Sequence, residues 1–279
     1  MNFRLYIPGI VCIIVALIIM FRLMHYAPFY APSYFFWIGV ILALVGIISI
    51  IKPLAFLFIF DRTIATSVLC AGLLISVTSI YWSVPMYHSP ANQKIDALLR
   101  DYSFNEYHEV MINASVEDVK HALHATSVAD IPAVLFLLKI RGIANDKEKQ
   151  DGATNNKPCT DSLSTPEFKF IVADPAEFLT VMILKASAKA PPPEITTAEQ
   201  FMAFNEQGYV KVAINFRFIS LGNKQTLLTT ETRNLPITSK DRLVFGRYWR
   251  IIYPGSAIIR RVWLDALAKK AEKSEQGRY

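Results

Sequence analysis

The chain contains little cysteine, and its first third contains almost no charge. Its three cysteines, Cys12, Cys70 and Cys159, lie far apart in the sequence and form no CxxC pair. Because no Cys/His spacing suits zinc, we expect neither a structural zinc site nor a disulfide framework. His121 and His124 are three residues apart on one predicted helix, but they lack a carboxylate partner, so we interpret them as a solvated helix face. We therefore assign neither a metal nor a cofactor.

Acidic residues are absent from three long apolar runs near the start of the chain. The runs cover residues 7–24, 34–51 and 64–82. Up to residue 85 only five residues are charged: Arg4, Arg22, Lys52, Asp61 and Arg62. A helix needs roughly 20 predominantly apolar residues to cross the hydrocarbon core of a bilayer. The sequence therefore predicts three transmembrane helices in residues 1–85, and a multi-pass protein of the cell membrane that contacts membrane lipids.

Two details of this membrane region bear on its processing and orientation. The first run is longer than the apolar part of a typical signal peptide, and no cleavage pattern follows Arg22, which favours an uncleaved helix. The side of the membrane on which the rest of the chain lies stays open, since Arg4, Lys52 and Arg62 indicate one orientation and Arg22 the other. Small residues in the second and third runs predict close packing between these helices: Gly39, Ala43, Gly46, Gly72 and Ser76.

The basic stripe interleaved with aromatic residues that is typical of nucleic-acid binding is missing. The net charge of +6 is modest, and the nearest cluster of basic residues lies on one predicted amphipathic helix: Arg242, Arg247, Arg250, Arg260 and Arg261. These charges suit attraction to anionic lipid headgroups, at about 1 kcal/mol for each basic residue near the surface. We expect no nucleic-acid partner.

Charged residues return after residue 85 and predict one soluble domain. We interpret residues 86–101 as a connector and residues 102–279 as the domain. Alternation of apolar and polar residues predicts strands at 105–113, 168–172, 178–185, 209–219 and 225–233. The last two strands form a hairpin around the turn at 221–224. Three short helices are predicted, which begin after Ser115, span 132–140, and follow Thr196 or Thr197; a loop is predicted at 144–166.

A long helix over residues 241–272 is predicted to end the chain. Thr238 and Asp241 are typical of a capping box, and Pro254 with Gly255 predicts a kink. A strand, short helices, a run of antiparallel strands and one terminal helix describe a sheet wrapped around that helix. The sequence therefore predicts an α+β fold behind N-terminal transmembrane helices.

This order of elements and several residues resemble the START-like helix-grip superfamily (SRPBCC, polyketide cyclase/dehydrase-like). The resemblance covers about residues 102–272 and is carried by these segments: Thr230-Glu231-Thr232-Arg233, Phe245, Tyr248-Trp249, Pro254-Gly255-Ser256 and Ile259-Arg260-Arg261. It implies an apolar cavity between the sheet and the long helix that binds a lipid, sterol-like or polyketide-like molecule. The transmembrane helices and the long 144–166 segment depart from the compact pattern of that superfamily.

Five residues are candidates for contact with such a ligand: Glu231, Arg233, Trp249, Arg250 and Arg260. We expect Glu231 and Arg233 to lie on one side of a strand that the long helix crosses, so that Arg250 and Arg260 complete a polar end of the cavity. The structural alternative, which we weight more heavily, is an ion pair that joins helix and sheet. Trp249 is more often a packing residue than a stacking platform. Catalytic residues remain unassigned.

Three hypotheses for the function follow from these observations. The first is a membrane-anchored domain that binds a hydrophobic small molecule or lipid. The second is a polyketide cyclase/dehydrase-like enzyme, with Glu231 or a histidine as general acid or base. The third is a membrane scaffold or assembly factor whose domain binds a protein partner that the sequence does not identify.

Overall fold

The computed structural model describes residues 7–26, 30–127, 130–131, 168–174 and 176–277. The chain divides into two compact units. The N-terminal unit comprises Met1–Ser83 together with Gly246–Ala257, and the C-terminal unit comprises Val84–Phe245 together with Ile258–Tyr279. The terminal helix therefore contributes residues to both units, which the sequence did not predict.

The N-terminal unit is helical, as predicted. It contains α1 (Ile7–Tyr26), α2 (Ala31–Ile51), a short 3-10 turn (Ala55–Leu57) and α3 (Arg62–Ile80). Pro32 lies in the first turn of α2, where a missing amide proton costs no hydrogen bond. Asp61 begins α3, since its carboxylate accepts a hydrogen bond from the amide of Ile64 at 2.9 Å.

Small residues allow α2 and α3 to pack closely. A Cβ atom on Gly72 would lie 2.4 Å from the backbone nitrogen of Ala43, and one on Gly39 would lie 2.7 Å from the carbonyl oxygen of Gly72. Ser76 adds a hydrogen bond to the carbonyl of Phe36 at 3.3 Å. This confirms the predicted packing through small residues.

Two helices among the described residues, α2 and α3, are long and apolar enough to cross a membrane. Only 22% of each candidate span is buried within the chain, whereas the core helix of a soluble protein is mostly buried. Helix α1 is present where it was predicted, but its apolar stretch, Ile7–Arg22, is shorter. Two candidate spans thus support association with a membrane, and the third span stays a prediction.

The C-terminal unit is α+β, as predicted. Its elements are β1 (Tyr87–His88), α4 (Lys94–Leu98), β2 (Asp101–Tyr102), β3 (Phe104–Ile112), α5 (Val116–Ala125), β4 (Phe168–Asp174), β5 (Glu177–Lys185), α6 (Ala198–Ala203), β6 (Tyr209–Gly222), β7 (Gln225–Pro236) and α7 (Ser239–Gln276). Strands β1 and β2 form a small antiparallel pair. The other five form an antiparallel sheet in the order β3-β7-β6-β5-β4, in which the first strand pairs with the last.

The five-stranded sheet has an inner face against α7 and an outer face against α4 and α6. On the inner face, the ring of Phe104 contacts Phe245 at 5.3 Å, and the ring of Phe216 contacts Trp263 at 5.1 Å. The outer face is covered by an apolar cluster: Ile95, Leu99, Leu179, Val181, Ile183, Ile195, Phe201, Tyr209 and Ala213. Because side chains alternate along a strand, neighbouring residues of β7 point to opposite faces.

Helix α7 begins with the predicted capping box. Thr238 accepts a hydrogen bond from the amide of Asp241, and the carboxylate of Asp241 accepts one from the amide of Thr238. Asp241 also accepts hydrogen bonds from the amide of Gly208 and the hydroxyl of Ser187. The helix start is thereby fixed to the beginning of β6. Pro254 lies inside α7 and does not end it.

The segment that sequence analysis treated as a connector is folded. Residues 86–101 contribute β1, α4 and the first residue of β2 to the C-terminal unit. Helix α4 begins with a capping box of Gln93 and Asp96, and Ile95 and Leu99 are buried on the sheet. The predicted helix at 132–140 and the predicted loop at 144–166 lie outside the described residues.

Candidate functional site

The structure places the five predicted ligand contacts in three locations. Glu231 and Arg233 lie on the outer face of the sheet, away from α7. Arg260 lies on the inner face, next to Thr230 and Thr232. Trp249 and Arg250 belong to the N-terminal unit. The prediction that Glu231 and Arg233 contact α7 is therefore wrong. Helix α7 contacts Thr230 and Thr232 of the same strand, and the side chains of alternate residues point to opposite faces of the sheet.

On the outer face, Arg233 is buried and all five of its N–H donors are used. Its guanidinium donates two hydrogen bonds to the carboxylate of Glu231, from Nε at 2.8 Å and from Nη2 at 3.0 Å. Further bonds reach the carboxylate of Asp96 at 2.6 Å, the carbonyl of Leu99 and the hydroxyl of Ser89. A guanidinium has five donors, so none remains for a ligand.

This network joins the segment around α4 to β7. Burial raises the pKa of Asp96, but hydrogen bonds from Arg233, Ser89 and the amide of Gln93 outweigh it and hold that pKa below its ordinary value. Glu231 in turn has both carboxylate oxygens bonded by Arg233. The network thus matches the structural alternative, although its partner is the segment around α4 and not the terminal helix.

The inner face carries a second group of polar residues, which we call the inner-face cluster: Glu106, His108, Thr230, Thr232 and Arg260. Pairing of the strands fixes its geometry in two adjacent rows. One row places His108 opposite Thr230, and the other places Glu106 opposite Thr232. The side chains of Glu106 and His108 are buried, and Oε1 of Glu106 lies 3.0 Å from Nε2 of His108.

Arg260 approaches the cluster from α7. Its Nη2 donates to the hydroxyl oxygen of Thr232 at 2.6 Å, and its Nη1 donates to that of Thr230 at 3.4 Å. Its guanidinium lies 5.9 Å from the ring centre of Phe216. Burial lowers the pKa of Arg260, and the nearby charge of Glu106 acts in the opposite direction. Arginine nevertheless stays protonated in proteins, so the cluster contains a fixed positive charge.

Two buried polar atoms beside this cluster have no hydrogen-bond partner among the described residues. They are Oε2 of Glu106 and Nε1 of Trp263. Buried polar groups are normally paired, and an unpaired one costs about 1–3 kcal/mol, so each exception calls for an explanation. An acceptor is thus left without a partner on the carboxylate that contacts His108, and a donor is left without one on Trp263, whose ring contacts Phe216.

The surroundings of the cluster are apolar. In the row of His108 and Thr230, the next residues across the sheet are Phe216 and Phe178. In the row of Glu106 and Thr232, the next inner-face residue is Ile214. The arrangement combines a few converging polar groups with mainly apolar neighbours, the mixture of residue types that lines many small-molecule sites.

Arg250 and Trp249 are buried in the N-terminal unit, and Nε and Nη1 of Arg250 have no hydrogen-bond partner among the described residues. Nη2 of Arg250 donates to the carbonyl of Trp82 at 2.5 Å, and the carbonyl of Arg250 accepts a hydrogen bond from Ser33 at 2.6 Å. The ring of Trp249 lies 5.8 Å from that of Tyr253. The two hydrogen bonds of Arg250 connect the central part of α7 with the start of α2 and with the residues that follow α3.

Two of the open clefts on the described surface lie apart from the inner-face cluster, because no residue of the cluster lines either of them. One of about 440 Å³ is lined by Asn92, Gln93, Lys94, Ala176, Glu177, Arg217, Phe218, Ile219 and Ser220. The other, of about 350 Å³, is lined by Asp118, His121, Ala122, Ala125, Lys270, Lys273 and Ser274. In the described part of the chain, no group of three or more His, Cys, Asp or Glu side chains could hold a metal.

Glu106 was not predicted as a site residue. Strand β3 confirms the alternation predicted for residues 105–113, which places His108 and Ile112 on the buried side. Extending that alternation by two residues towards the N-terminus reaches Glu106. A buried Glu at an apolar strand position was therefore a readable signal.

Comparisons with known proteins add little to this picture. Neither a protein-family model nor a curated protein matches the chain. Among solved structures, the chain is similar to a hypothetical protein from Helicobacter pylori, known from a crystal structure. That protein is 10% identical, with a TM-score of 0.32, and the match covers 66% of this chain and 96% of the other.

Proposed function

We propose that this chain is a membrane-anchored protein whose C-terminal unit, of START-like helix-grip type, binds a hydrophobic small molecule. Helices α2 and α3 support the membrane anchor, because both are long and apolar and remain largely unburied within the chain. The order of strands and the terminal helix supports the fold type, since it is the order on which the resemblance rests. Anchoring would allow an apolar ligand to pass from the bilayer to its site without crossing bulk water.

The observation that carries the proposal is Oε2 of buried Glu106, which has no hydrogen-bond partner among the described residues and belongs to a carboxylate whose charge acts on Arg260. A ligand hydroxyl can donate a hydrogen bond to this oxygen and accept one from the guanidinium. This hydrogen bond would also reduce the free-energy cost of burying the carboxylate of Glu106 among apolar residues. The ligand class that fits is therefore a mainly apolar molecule with one hydroxyl group, such as a sterol-like or phenolic compound.

The test is to identify what the full chain retains during purification. The protein is extracted from membranes in detergent, and bound molecules are identified by native mass spectrometry and by solvent extraction. We expect a hydroxylated apolar molecule in near-stoichiometric amount. Glu106→Leu removes the acceptor and should reduce retention at least about tenfold, the ratio for a hydrogen bond of about 1.4 kcal/mol.

Glu109→Leu is the matched control, because Glu109 lies on the same strand but on its exposed side. It should leave retention unchanged. If the unmodified chain retains only bulk membrane lipid, or if both variants lose the molecule equally, the proposed binding site is wrong.

A second candidate function is catalysis by Glu106 and His108. Their 3.0 Å contact is the arrangement in which a carboxylate orients an imidazole for proton transfer. Glu231 no longer fits this role, because Arg233 occupies both of its oxygens. His108→Asn should then abolish conversion of the retained molecule while its binding persists. Unchanged conversion in that variant would leave binding as the function.

A further inference from the structure

The central segment of α7, Gly246–Ala257, lies across the end of the α2–α3 hairpin. This is the end at which α2 begins and α3 finishes. Besides the bonds that Arg250 makes there, Nε1 of Trp37 donates to the carbonyl of Ile251 at 3.2 Å. The ring of Tyr30, just before α2, lies 5.1 Å from that of Tyr253. The segment is therefore fixed to both helix ends.

The segment has two clearly different sides. At 100° per residue, its buried residues fall on one narrow stripe: Gly246, Trp249, Arg250, Tyr253 and Ala257. The opposite side exposes Arg247, Tyr248 at 43% and Ile251 at 48%. A cation, an amphipathic aromatic and an aliphatic residue thus share one exposed face.

The helix ends next to this face are rich in exposed aromatic residues. They are Phe35 at 41%, Trp37 at 38%, Tyr81 at 61% and Trp82 at 47%. The rings of Phe35 and Trp82 stack at 5.9 Å, and the guanidinium of Arg247 lies 5.1 Å from the ring centre of Tyr81. Trp and Tyr concentrate at the headgroup level of a bilayer, which defines the depth of this end of the hairpin.

We propose that the exposed face of Gly246–Ala257 contacts the surface of a bilayer that contains anionic phospholipid. Ile251 and Tyr248 enter the boundary between headgroups and acyl chains, and Arg247 pairs with lipid phosphate. The terminal helix is then a third membrane contact, lying parallel to the surface, in addition to the spanning helices. This inference rests on the membrane anchoring by α2 and α3 in the proposed function.

A bilayer suits this face better than a second copy of the chain does. The exposed face of Gly246–Ala257 lies next to the aromatic ends of α2 and α3. These two helices expose further apolar side chains along their length, and such side chains are stable in contact with lipid. In a two-fold symmetric dimer the same patch would meet itself and bring two Arg247 charges into one interface. Like charges in an interface are unfavourable, whereas anionic headgroups neutralise them.

The test measures the depth of single spin labels in the full chain. In a background in which Cys12, Cys70 and Cys159 are replaced by Ala, Ile251→Cys is labelled with a nitroxide. The protein is reconstituted in vesicles of phosphatidylcholine with phosphatidylglycerol, and collision rates are measured with oxygen and with a water-soluble nickel chelate. We expect oxygen to dominate at Ile251→Cys. Lys269→Cys, an exposed control on the same helix, should collide mainly with the nickel chelate.

A third label separates this inference from the anchoring itself. Leu74→Cys lies on the exposed side of α3 and should collide only with oxygen if α3 spans the bilayer. If Leu74→Cys reports lipid while Ile251→Cys behaves like Lys269→Cys, the surface contact is wrong and the anchor stands. If Leu74→Cys is also water-accessible, the anchor is wrong. Protection of Ile251→Cys from both reagents would indicate a protein partner and also overturn the inference.

The charge of Arg247 provides a second measurement. Arg247→Gln, in the same labelled background, should reduce the ratio of buried to exposed label in the anionic vesicles about fivefold, which corresponds to about 1 kcal/mol for one basic residue. In vesicles of phosphatidylcholine alone, the variant and its parent should agree. An equal effect in both lipids would exclude a role for anionic headgroups.

Discussion

The two faces of the five-stranded sheet carry ionic groups on the paired strands β3 and β7, but the hydrogen bonds of these groups differ between the faces. On the outer face, Arg233 has every donor paired with Glu231, Asp96 and neighbouring groups. On the inner face, one oxygen of Glu106 has no hydrogen-bond partner among the described residues, although Glu106 is also buried. A buried charged group contributes to stability only when its hydrogen bonds are satisfied. A buried group without a hydrogen-bond partner destabilises the folded protein, and a bound ligand can supply the missing hydrogen bond. The inner face is therefore where function is to be sought.

The largest effect should come from breaking the outer-face network. Glu231→Leu leaves the Arg233 charge buried with Asp96 as its only ionic partner among the described residues, and should lower the free energy of unfolding by about 3–5 kcal/mol. Denaturant unfolding of the full chain in detergent measures it. A loss below about 1 kcal/mol would contradict the structural role of the network.

A smaller loss, with a distinct pH dependence, is expected for Asp96→Asn. The change weakens the bond to Arg233 by about 1–3 kcal/mol at neutral pH. Because the folded pKa of Asp96 lies below its unfolded value of about 3.9, its contribution is present above that value and is lost as the pH falls through the folded pKa. The stabilities of variant and parent should therefore converge in acid. A difference that is constant with pH would show that the charge of Asp96 is irrelevant.

The same change from Glu to Leu on the inner face should cost less stability than it does on the outer face. Glu106→Leu removes a half-paired buried carboxylate and leaves His108 without that partner, so it should lower the free energy of unfolding by about 1–3 kcal/mol. The comparison with Glu231→Leu, measured in the same way, tests the contrast between the faces directly. Equal losses in the two variants would mean that both groups are structural.

The smallest effect concerns Lys211, a buried cation on the outer face. Its ammonium donates to the carbonyl of Met202 at 2.9 Å and lies 5.0 Å from the ring centre of Phe201. Burial lowers the pKa of Lys211, so the folded state binds its proton less tightly than the unfolded chain does. Stability should therefore rise with pH between the folded pKa and the unfolded value of about 10.4.

Lys211→Met should remove this penalty. The melting temperature at neutral pH should rise slightly, and the gain should vanish as the pH approaches 10.4. A fall in melting temperature at neutral pH would show that the contacts with Met202 and Phe201 outweigh the cost of burial.

Local patterns were sufficient to predict most secondary structure. Alternation predicted β3, β6 and β7, and hydroxyl caps located the starts of α5, α6 and α7. These features depend on residues within one turn or one strand, so the sequence displays them directly. The α+β class followed from their order.

The choice of face could not be predicted in the same way. Period two shows that Thr230 and Glu231 point to opposite sides, but not which side meets α7. Arg233 points to the face on which it pairs with Asp96, a residue 137 positions earlier in the sequence. A local sequence pattern does not contain a contact over this distance. The contribution of Gly246–Ala257 to the N-terminal unit was missed for the same reason.

The pairing of β3 with β7 has a consequence for synthesis of the protein. Strand β3 leaves the ribosome more than 100 residues before its partner, and the residues that complete both units arrive in the last 40 of the chain. Contacts between such distant residues form slowly, because a long loop must close first. The two units therefore stay incomplete during synthesis until the residues of α7 have been added. A premature stop codon before Ser239 would release a product that lacks the α7 residues of both the N-terminal and the C-terminal unit.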